Sequence, residues 1–386
     1  MTVNHYFDHA SLSPLRPEAL QVVQRVSNDL ANTEMGDPSR IYRQGMTTRV
    51  ELENARQKVA EMLQAKSREI VFTSGASESI STATWGALYR AKENNQIPQV
   101  IHSSVEHSSV RQSSHLFASA LGGEVFVIPV DATGRIDLDA FKATFNESIS
   151  LVHLQYGNHE VGTLQPIAEV AEICQQSKTL LHIDATHAVG HIPLSVNDLG
   201  ADLISFGGCE FGAPTSVGVL WIRQGLRLQP LLTGGDQERA RRAGIEPIIS
   251  AIALGEVCAQ LNYETLQRQQ RHYRQLTERI ADRLQIIEGV AELGDPQKRL
   301  DHLLCLAIAD IEPQAIVLGL DQRGISVHSG SSCASEGIEP SPVLEAMGAD
   351  AHRSMRISVG WTTTDENVDA LCQAVPEIIH ELRQLR

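Results

Sequence analysis

The sequence predicts an α/β protein with a mainly parallel sheet and helices on both faces, followed by a smaller α+β unit. Short apolar runs alternate with longer segments of helical spacing through the first two thirds of the chain. This alternation is typical of a parallel sheet whose strands are connected by helices. After Pro247 the alternation gives way to long helical spacing and then to a shorter mixture of strand and helix patterns.

The elements follow in chain order. Apolar residues recur at helical spacing over 49–63, which predicts a helix there. Seven short apolar runs then predict strands at 69–73, 100–103, 124–130, 151–155, 180–183, 203–206 and 217–223. Beyond them, residues 248–284 predict one or two long helices. The C-terminal unit predicts strands at 303–309, 325–328 and 355–359 and a terminal helix near 366–382.

Composition excludes several classes of protein. Of the 386 residues, 42% are hydrophobic and 20% are charged, which is ordinary for a globular protein and excludes a disordered or fibrous chain. Lys and Arg number 32 against 47 for Asp and Glu, a net charge of −15 that argues against nucleic-acid binding. We find no secretory signal pattern and no apolar run long enough for a membrane span. The six cysteines include no C-x-x-C pair, so we expect a reducing, cytoplasmic environment.

Three polar segments follow strand or helix patterns. The turn 74–78 opens a helix, where backbone N–H groups and the Ser77 hydroxyl suit a phosphate, although any strand-to-helix turn favours small residues. Asp184 ends a strand and would face the ligand crevice, or else cap the next turn. Cys333 lies in the small, polar stretch 329–335, which favours a nucleophile or persulfide carrier; the alternative is an unused remnant.

Together these segments resemble the cysteine desulfurase family, in the class V aminotransferase group with the type I fold of pyridoxal-phosphate (PLP) enzymes. The matching motifs are FDHASLSPL, EIVFTSGASES, SSVEHSSV, NHEVGTLQPI, HIDATHAVG, DLISFGG, SGSSCASEGIEPS and MRISVGWTTT. The resemblance implies a large domain with a seven-stranded sheet at 15–255 and a small domain formed by 1–14 and 256–386. It also implies a homodimer, a bound PLP, and partners that are sulfur-acceptor or scaffold proteins of the kind used in iron–sulfur cluster assembly.

The resemblance also assigns roles. The family reaction takes sulfur from cysteine, releases alanine and leaves a persulfide on a loop cysteine, which is Cys333 here. Arg356 would bind the substrate carboxylate. The cofactor positions, carried over from the family, are Gly75, Ala76 and Ser77 at the phosphate turn, His107 stacked on the pyridine ring, Asp184 at the pyridine nitrogen, and His159 and His187 near the phenolic oxygen.

The chain departs from the family at the residue that matters most. Glu210 stands where the family has the lysine that forms a Schiff base with PLP, and a carboxylate cannot form an imine. Other family cofactor contacts are replaced by His159, His187, Gly207, Cys209 and Ile245. Several lost phosphate contacts, each worth about 1.5–3 kcal/mol, would abolish tight PLP binding.

Three hypotheses follow. The main one is a desulfurase-like protein without independent PLP-dependent activity, which acts in sulfur transfer as a carrier, scaffold or regulator. The second is an active desulfurase with displaced or non-covalent PLP, favoured by the retained His107, Asp184 and Arg356. The third is a metal-binding pocket, because the family geometry would bring together His107, His159, His187, Asp184, Cys209 and Glu210.

Overall fold

The computed structural model describes residues 5–330 and 340–384. The helices are α1 (Pro17–Ala31), α2 (Arg43–Met62), α3 (Ala76–Glu93), α4 (Ser108–Leu121), α5 (Leu138–Thr144), α6 (Ile167–Gln175), α7 (Gln237–Ala240), α8 (Ile248–Gln260), α9 (Tyr263–Leu284), α10 (Pro313–Asp321), α11 (Pro342–Ala346) and α12 (Asp365–Gln384). The strands are β1 (His5–Tyr6), β2 (Ile70–Thr73), β3 (Gln99–Ser103), β4 (Glu124–Ile128), β5 (Leu151–Gln155), β6 (Leu180–Asp184), β7 (Leu203–Gly207), β8 (Gly218–Ile222), β9 (Val290–Leu293), β10 (Leu303–Ile308), β11 (Ile325–Ser326) and β12 (Ser354–Ser358).

The large sheet has seven strands in the order β2-β8-β7-β6-β5-β3-β4. Strand β8 runs antiparallel to both of its neighbours, and the remaining neighbours pair in parallel. Every residue of β5, β6, β7 and β8 is buried, as expected for strands covered on both faces. The predicted α/β class and the mainly parallel seven-stranded sheet are confirmed.

The C-terminal part has its own sheet and core. Strands β9, β10 and β12 form an antiparallel sheet in the order β12-β10-β9. A separate apolar cluster joins this sheet to α9, α10 and α12. The predicted long helical segment is two helices, and Asn262 begins the second by accepting a hydrogen bond from the backbone N–H of Thr265 at 2.9 Å.

The N-terminal segment packs against this C-terminal part. Strand β1 pairs in parallel with β11, and Asp8 bridges Ser358 in β12. The core of the large sheet extends through α8 to Leu266 in α9, and it also includes Leu300 and Leu303. The predicted division at 255 and 256 stays a prediction.

None of the helices in residues 5–330 and 340–384 is both long enough and apolar enough to cross a membrane.

Candidate functional site

A cavity of about 470 Å³ opens at the carboxyl ends of the central strands. Asp184 is the last residue of β6, Gly207 is the last residue of β7, and the turn 74–78 follows β2. Carboxyl ends of parallel strands are where open α/β sheets bind ligands. The structure brings to this cavity the predicted site residues Gly75, Ala76, Ser77, His107, His159, Asp184, His187, Cys209, Glu210 and Arg356.

The turn at the start of α3 is already partly hydrogen-bonded. Glu78 accepts a hydrogen bond from the backbone N–H of Ser74 at 2.8 Å, and it forms an ion pair with Arg242 at 2.9 Å. The Ser77 hydroxyl lies 2.9 Å from the hydroxyl of Ser109. A side chain added at Gly75 would meet nothing within 4 Å, so the space in front of the turn is open to a ligand.

Asp184 is a buried carboxyl group held by the next turn. Its Oδ1 accepts hydrogen bonds from the backbone N–H of Thr186 at 3.1 Å and from the Thr186 hydroxyl at 2.5 Å. Burial raises the pKa of Asp184, while the Thr186 hydrogen bonds and nearby His107 act against that rise. Both predicted roles remain geometrically compatible, because Asp184 caps the turn and also lines the cavity.

Three imidazole rings form one wall of the cavity. The ring centroids of His107 and His159 are 5.1 Å apart and the rings are nearly perpendicular, whereas His159 and His187 are 6.2 Å apart and stacked. Nδ1 of His107 accepts a hydrogen bond from the backbone N–H of Ser109 at 3.1 Å, which caps α4. Burial lowers the pKa of all three rings, so they are neutral at pH 7.

Arg356 lies in β12 and is 2% exposed. It donates to the backbone oxygen of His159 at 2.9 Å, to Asp8 at 3.0 Å and to the Ser11 hydroxyl at 2.6 Å. Its Nε atom is buried and has no hydrogen-bond partner. The guanidinium therefore lines the cavity while it is tied to the N-terminal segment, and a substrate carboxylate would share it with Asp8.

Glu210 lies in a single turn of 3-10 helix, Cys209–Phe211, directly after β7. Its backbone oxygen is 3.1 Å from Nε2 of His191, and Oε2 of its carboxylate is buried with no hydrogen-bond partner within residues 5–330 and 340–384. A Cβ at Gly207 would lie 2.6 Å from that oxygen, so the glycine leaves room for it. Burial raises the pKa of Glu210 to about 7, and hydrogen bonds from its own backbone N–H and the Cys209 thiol only partly oppose this.

The cavity does not fit covalently bound PLP. The chain has six lysines, at positions 58, 66, 92, 142, 178 and 298, and none of them lines the cavity. A Schiff base needs an amine, and position 210 offers a carboxylate instead. Gly207 and Cys209 add no hydroxyl or imidazole at this end of the cavity, whereas His107 and Asp184 remain where a ring could lie between them.

The described residues do not provide a set of metal ligands. No group of three or more His, Cys, Asp or Glu side chains in residues 5–330 and 340–384 could hold a metal ion.

Two other predicted positions are absent from the set of described residues that line the cavity, for different reasons. Cys333 lies outside the described residues, so its role stays a prediction. Ile245 is 60% exposed, and its backbone oxygen accepts a hydrogen bond from Arg242 at 3.2 Å.

Sequence reasoning missed a third carboxyl group beneath the cavity. Glu106 is 1% exposed; its Oε1 accepts hydrogen bonds from the Ser103 hydroxyl at 2.7 Å and the backbone N–H of Gln155 at 3.0 Å. Burial raises its pKa to about 8, against the opposing effect of those two hydrogen bonds. Its place directly before His107 in the SSVEHSSV motif was the available signal.

Comparisons with known proteins agree with this architecture. The family model for aminotransferase class-V matches residues 5–371. The chain is 35% identical over 383 residues to cysteine desulfurase IscS 1 of Archaeoglobus fulgidus, covering 98% of each chain. It is 36% identical to cysteine desulfurase NifS of Azotobacter vinelandii, covering 91% of this chain and 88% of that one.

A solved structure of a NifS-like protein superposes with a TM-score of 0.89 at 28% identity, covering 98% of this chain and all of the other. The region matched by the family model, residues 5–371, contains all three sheets and every residue that lines the cavity. With its cavity at the carboxyl ends of a mainly parallel seven-stranded sheet, the chain belongs to the aminotransferase class-V family and is a cysteine desulfurase-like member of it.

Proposed function

We propose that this protein acts in sulfur transfer without independent PLP-dependent desulfurase activity, as a carrier, scaffold or regulator that works through Cys333. One observation carries the first half of the proposal: no lysine lines the cavity, and Glu210 occupies the position of the family's Schiff-base lysine. A desulfurase uses that amine to hold the cofactor, so this chain lacks the group on which the reaction begins.

The second half of the proposal rests on the retained loop cysteine. Cys333 is flanked by small residues in the sequence SGSSCASEG, and from this sequence we expect a reactive thiol. In the proposed role, Cys333 receives sulfur as a persulfide from an active desulfurase and passes it to an acceptor protein. The thiolate attacks the terminal sulfur of the donor persulfide, and the donor cysteine leaves as a thiolate, so no outside oxidant is needed.

A loading experiment tests this role. An active desulfurase with cysteine is incubated with the native protein and with a Cys333→Ser variant, and persulfides are mapped by alkylation and mass spectrometry. We expect a persulfide on Cys333 of the native protein and none on the variant. Equal loading of Cys174 or Cys258, which are buried on helices α6 and α8, would refute the carrier role.

An active desulfurase is the second candidate, and the names of the relatives favour it. Alanine release from cysteine after PLP is added, without any other desulfurase, distinguishes the two. Release that depends on Cys333 would support the second candidate and refute the first.

We also propose that the protein is a homodimer. Helix α2 and the segment before it expose Ile41, Met46 and Val50, with exposed fractions of 91%, 41% and 54%. These residues border a surface groove between α1, α2 and α8 whose lining is partly apolar. Light scattering after size-exclusion chromatography should give twice the chain mass, and a Val50→Glu variant should shift it toward the monomer.

A further inference from the structure

The charges around the cavity are unevenly compensated. Among the lining residues in the described part of the chain, Arg356 is the only permanent cation, and it is paired with Asp8 at 3.0 Å. The carboxylate of Glu78 is paired with Arg242 at 2.9 Å. Asp184 and Glu210 line the same cavity and form no ion pair in residues 5–330 and 340–384.

The carboxylate of Glu210 has an unused acceptor. In the part of the chain that the structure describes, its Oε2 is buried without a hydrogen-bond partner, in the space that the missing side chain of Gly207 leaves free. An ionised carboxylate can only accept hydrogen bonds, so a ligand that satisfies it must donate. A buried carboxylate without a partner is costly, and an adjacent positive charge removes much of that cost.

The uncharged groups around Glu210 leave this part of the cavity suitable for a cation. Burial keeps His107, His159 and His187 neutral, so the imidazole wall adds no repulsion toward a positive ligand. Burial also raises the pKa of the Cys209 thiol to about 12, with the Glu210 carboxylate as a further cause, so Cys209 remains an uncharged donor. The carboxyl of Asp184 adds a second acidic group on the same cavity.

We propose that Glu210, with Asp184 on the same cavity, forms an anionic subsite for the primary ammonium group of a small ligand. The subsite has the opposite polarity to a lysine at this position. An aldehyde finds no amine there, whereas an ammonium group finds a carboxylate whose Oε2 lacks a hydrogen-bond partner among the described residues. The inference rests on the proposed absence of a Schiff base at position 210, but it is independent of the role of Cys333.

Two kinds of molecule carry this group and are small enough for a cavity of about 470 Å³: a free amino acid, and the amine form of the vitamin B6 phosphates. Each is compared with a similar compound that lacks the ammonium group, which we call its twin. L-cysteine is compared with 3-mercaptopropionate, and pyridoxamine 5′-phosphate with pyridoxine 5′-phosphate. Affinities are measured by calorimetry on the native protein, and the pair that shows a preference identifies the source.

We expect one ammonium ligand to bind at least tenfold more tightly than its twin, a preference typical of a charge-assisted hydrogen bond in a buried site. A Glu210→Gln variant, which keeps the shape and removes the charge, should lose the preference. Glu210→Asp should retain part of it. Glu147→Gln, an exposed site far from the cavity lining, is the matched control and should change nothing.

Equal binding of both twins in both pairs would overturn the proposal, as would a preference that survives Glu210→Gln. Thermal melting checks that each variant is folded, and if Glu210→Gln is not, the comparison of twins on the native protein decides. An absorbance band from a Schiff base after PLP is added would instead refute the proposed function, so the two failures are distinguishable.

Discussion

Gly207 and Glu210 are sterically coupled: a Cβ at residue 207 would lie 2.6 Å from Oε2 of Glu210 and 3.1 Å from Oε1. The strand β7 ends at Gly207, and the following turn directs the Glu210 carboxylate back over the strand end. Gly207 and Glu210, for which the sequence resemblance implies a serine and a lysine in the family, therefore fit each other sterically. Reverting one of them alone leaves the other mismatched.

The purified protein should carry no internal aldimine. Position 210 offers a carboxylate, and none of the six lysines lines the cavity. The visible absorbance band of a conjugated imine should therefore be absent after incubation with PLP and removal of the excess by desalting. A band that borohydride abolishes, with a reduced pyridoxyl group on a lysine in the peptide map, would contradict this.

The single variant Glu210→Lys should not restore alanine release from cysteine. Gly207 and Cys209 still offer no phosphate or ring contacts, and several missing charge-assisted hydrogen bonds, each about 1.5–3 kcal/mol, would keep PLP binding weak. The triple variant with Gly207→Ser and Cys209→His should bind PLP more tightly than the single one. Robust turnover by Glu210→Lys alone would show that the lysine was the only essential loss.

Cys333 should be the most reactive of the six thiols. Cys174, Cys258, Cys305 and Cys372 are buried, which raises the pKa of each thiol, and the pKa of Cys209 is raised to about 12. The reactivity of a cysteine increases with the fraction of its thiol that is ionised and with the access of the reagent to its sulfur. Limited iodoacetamide labelling at pH 8, followed by peptide mapping, should modify Cys333 first. Cys333→Ser should remove that fast phase, and a fast phase on Cys209 would contradict the prediction.

Loss of the buried ion pair between Arg56 and Glu238 should strongly destabilise the protein. The side chains are 5% and 0% exposed, joined by hydrogen bonds of 2.6 and 2.7 Å, and Glu238 also accepts from the backbone N–H of Phe72 at 2.9 Å. Glu238→Gln should lower the free energy of unfolding by about 3–5 kcal/mol, because Arg56 then loses its only buried counter-charge among the described residues and keeps only the partly exposed Glu53.

Glu53 offers a matched control for that measurement. It contacts Nε of the same Arg56 at 3.0 Å, but its side chain is 45% exposed. Glu53→Gln should therefore cost less than about 1 kcal/mol in urea unfolding. Similar losses for the two variants would mean that burial of Glu238 adds nothing.

Glu106 should make stability fall as pH rises. Its pKa is about 8 in the folded protein and 4.5 in the reference state, so between these values the unfolded chain releases a proton that the native protein keeps. Ionisation then favours the unfolded state across that window. Glu106→Gln should flatten the decline between pH 5 and 8, by up to about 1.4 kcal/mol per pH unit. Parallel stability profiles for the native protein and the variant would contradict this, and Glu147→Gln serves as the surface control.

Local patterns predicted the strands of the large sheet well because each of them contains a short run rich in apolar residues. The runs at 151–155 and 203–206 correspond to β5 and β7, with one further residue in β7. Two strands were missed. Strand β1 has two residues, His5 and Tyr6, which form no apolar run, and β9 alternates buried Val290 with exposed Ala291 at the edge of its sheet. Both are set by tertiary pairing rather than by local preference.

The cavity was predictable only through the family motifs, which placed Asp184 and Glu210 together. The motifs did not indicate which residues contact each other across the fold. Asp8 forms an ion pair with Arg356, Arg242 forms one with Glu78, and the His191 ring contacts the backbone oxygen of Glu210. Each joins residues far apart in sequence, so no periodicity or spacing signals it. The steric fit between Gly207 and Glu210 likewise needs coordinates, because a glycine in a sequence does not show which side chain occupies its space.

The pairing of β1 with β11 and the ion pair between Asp8 and Arg356 constrain the order in which the chain is assembled. Asp8 and Arg356 are 348 residues apart, so Asp8 cannot form this ion pair until the chain between them has been synthesised. The last strand of the seven-stranded sheet ends at Ile222, so all seven strands are synthesised well before Arg356. The cavity wall that this ion pair supports is therefore completed only after the large sheet has been synthesised.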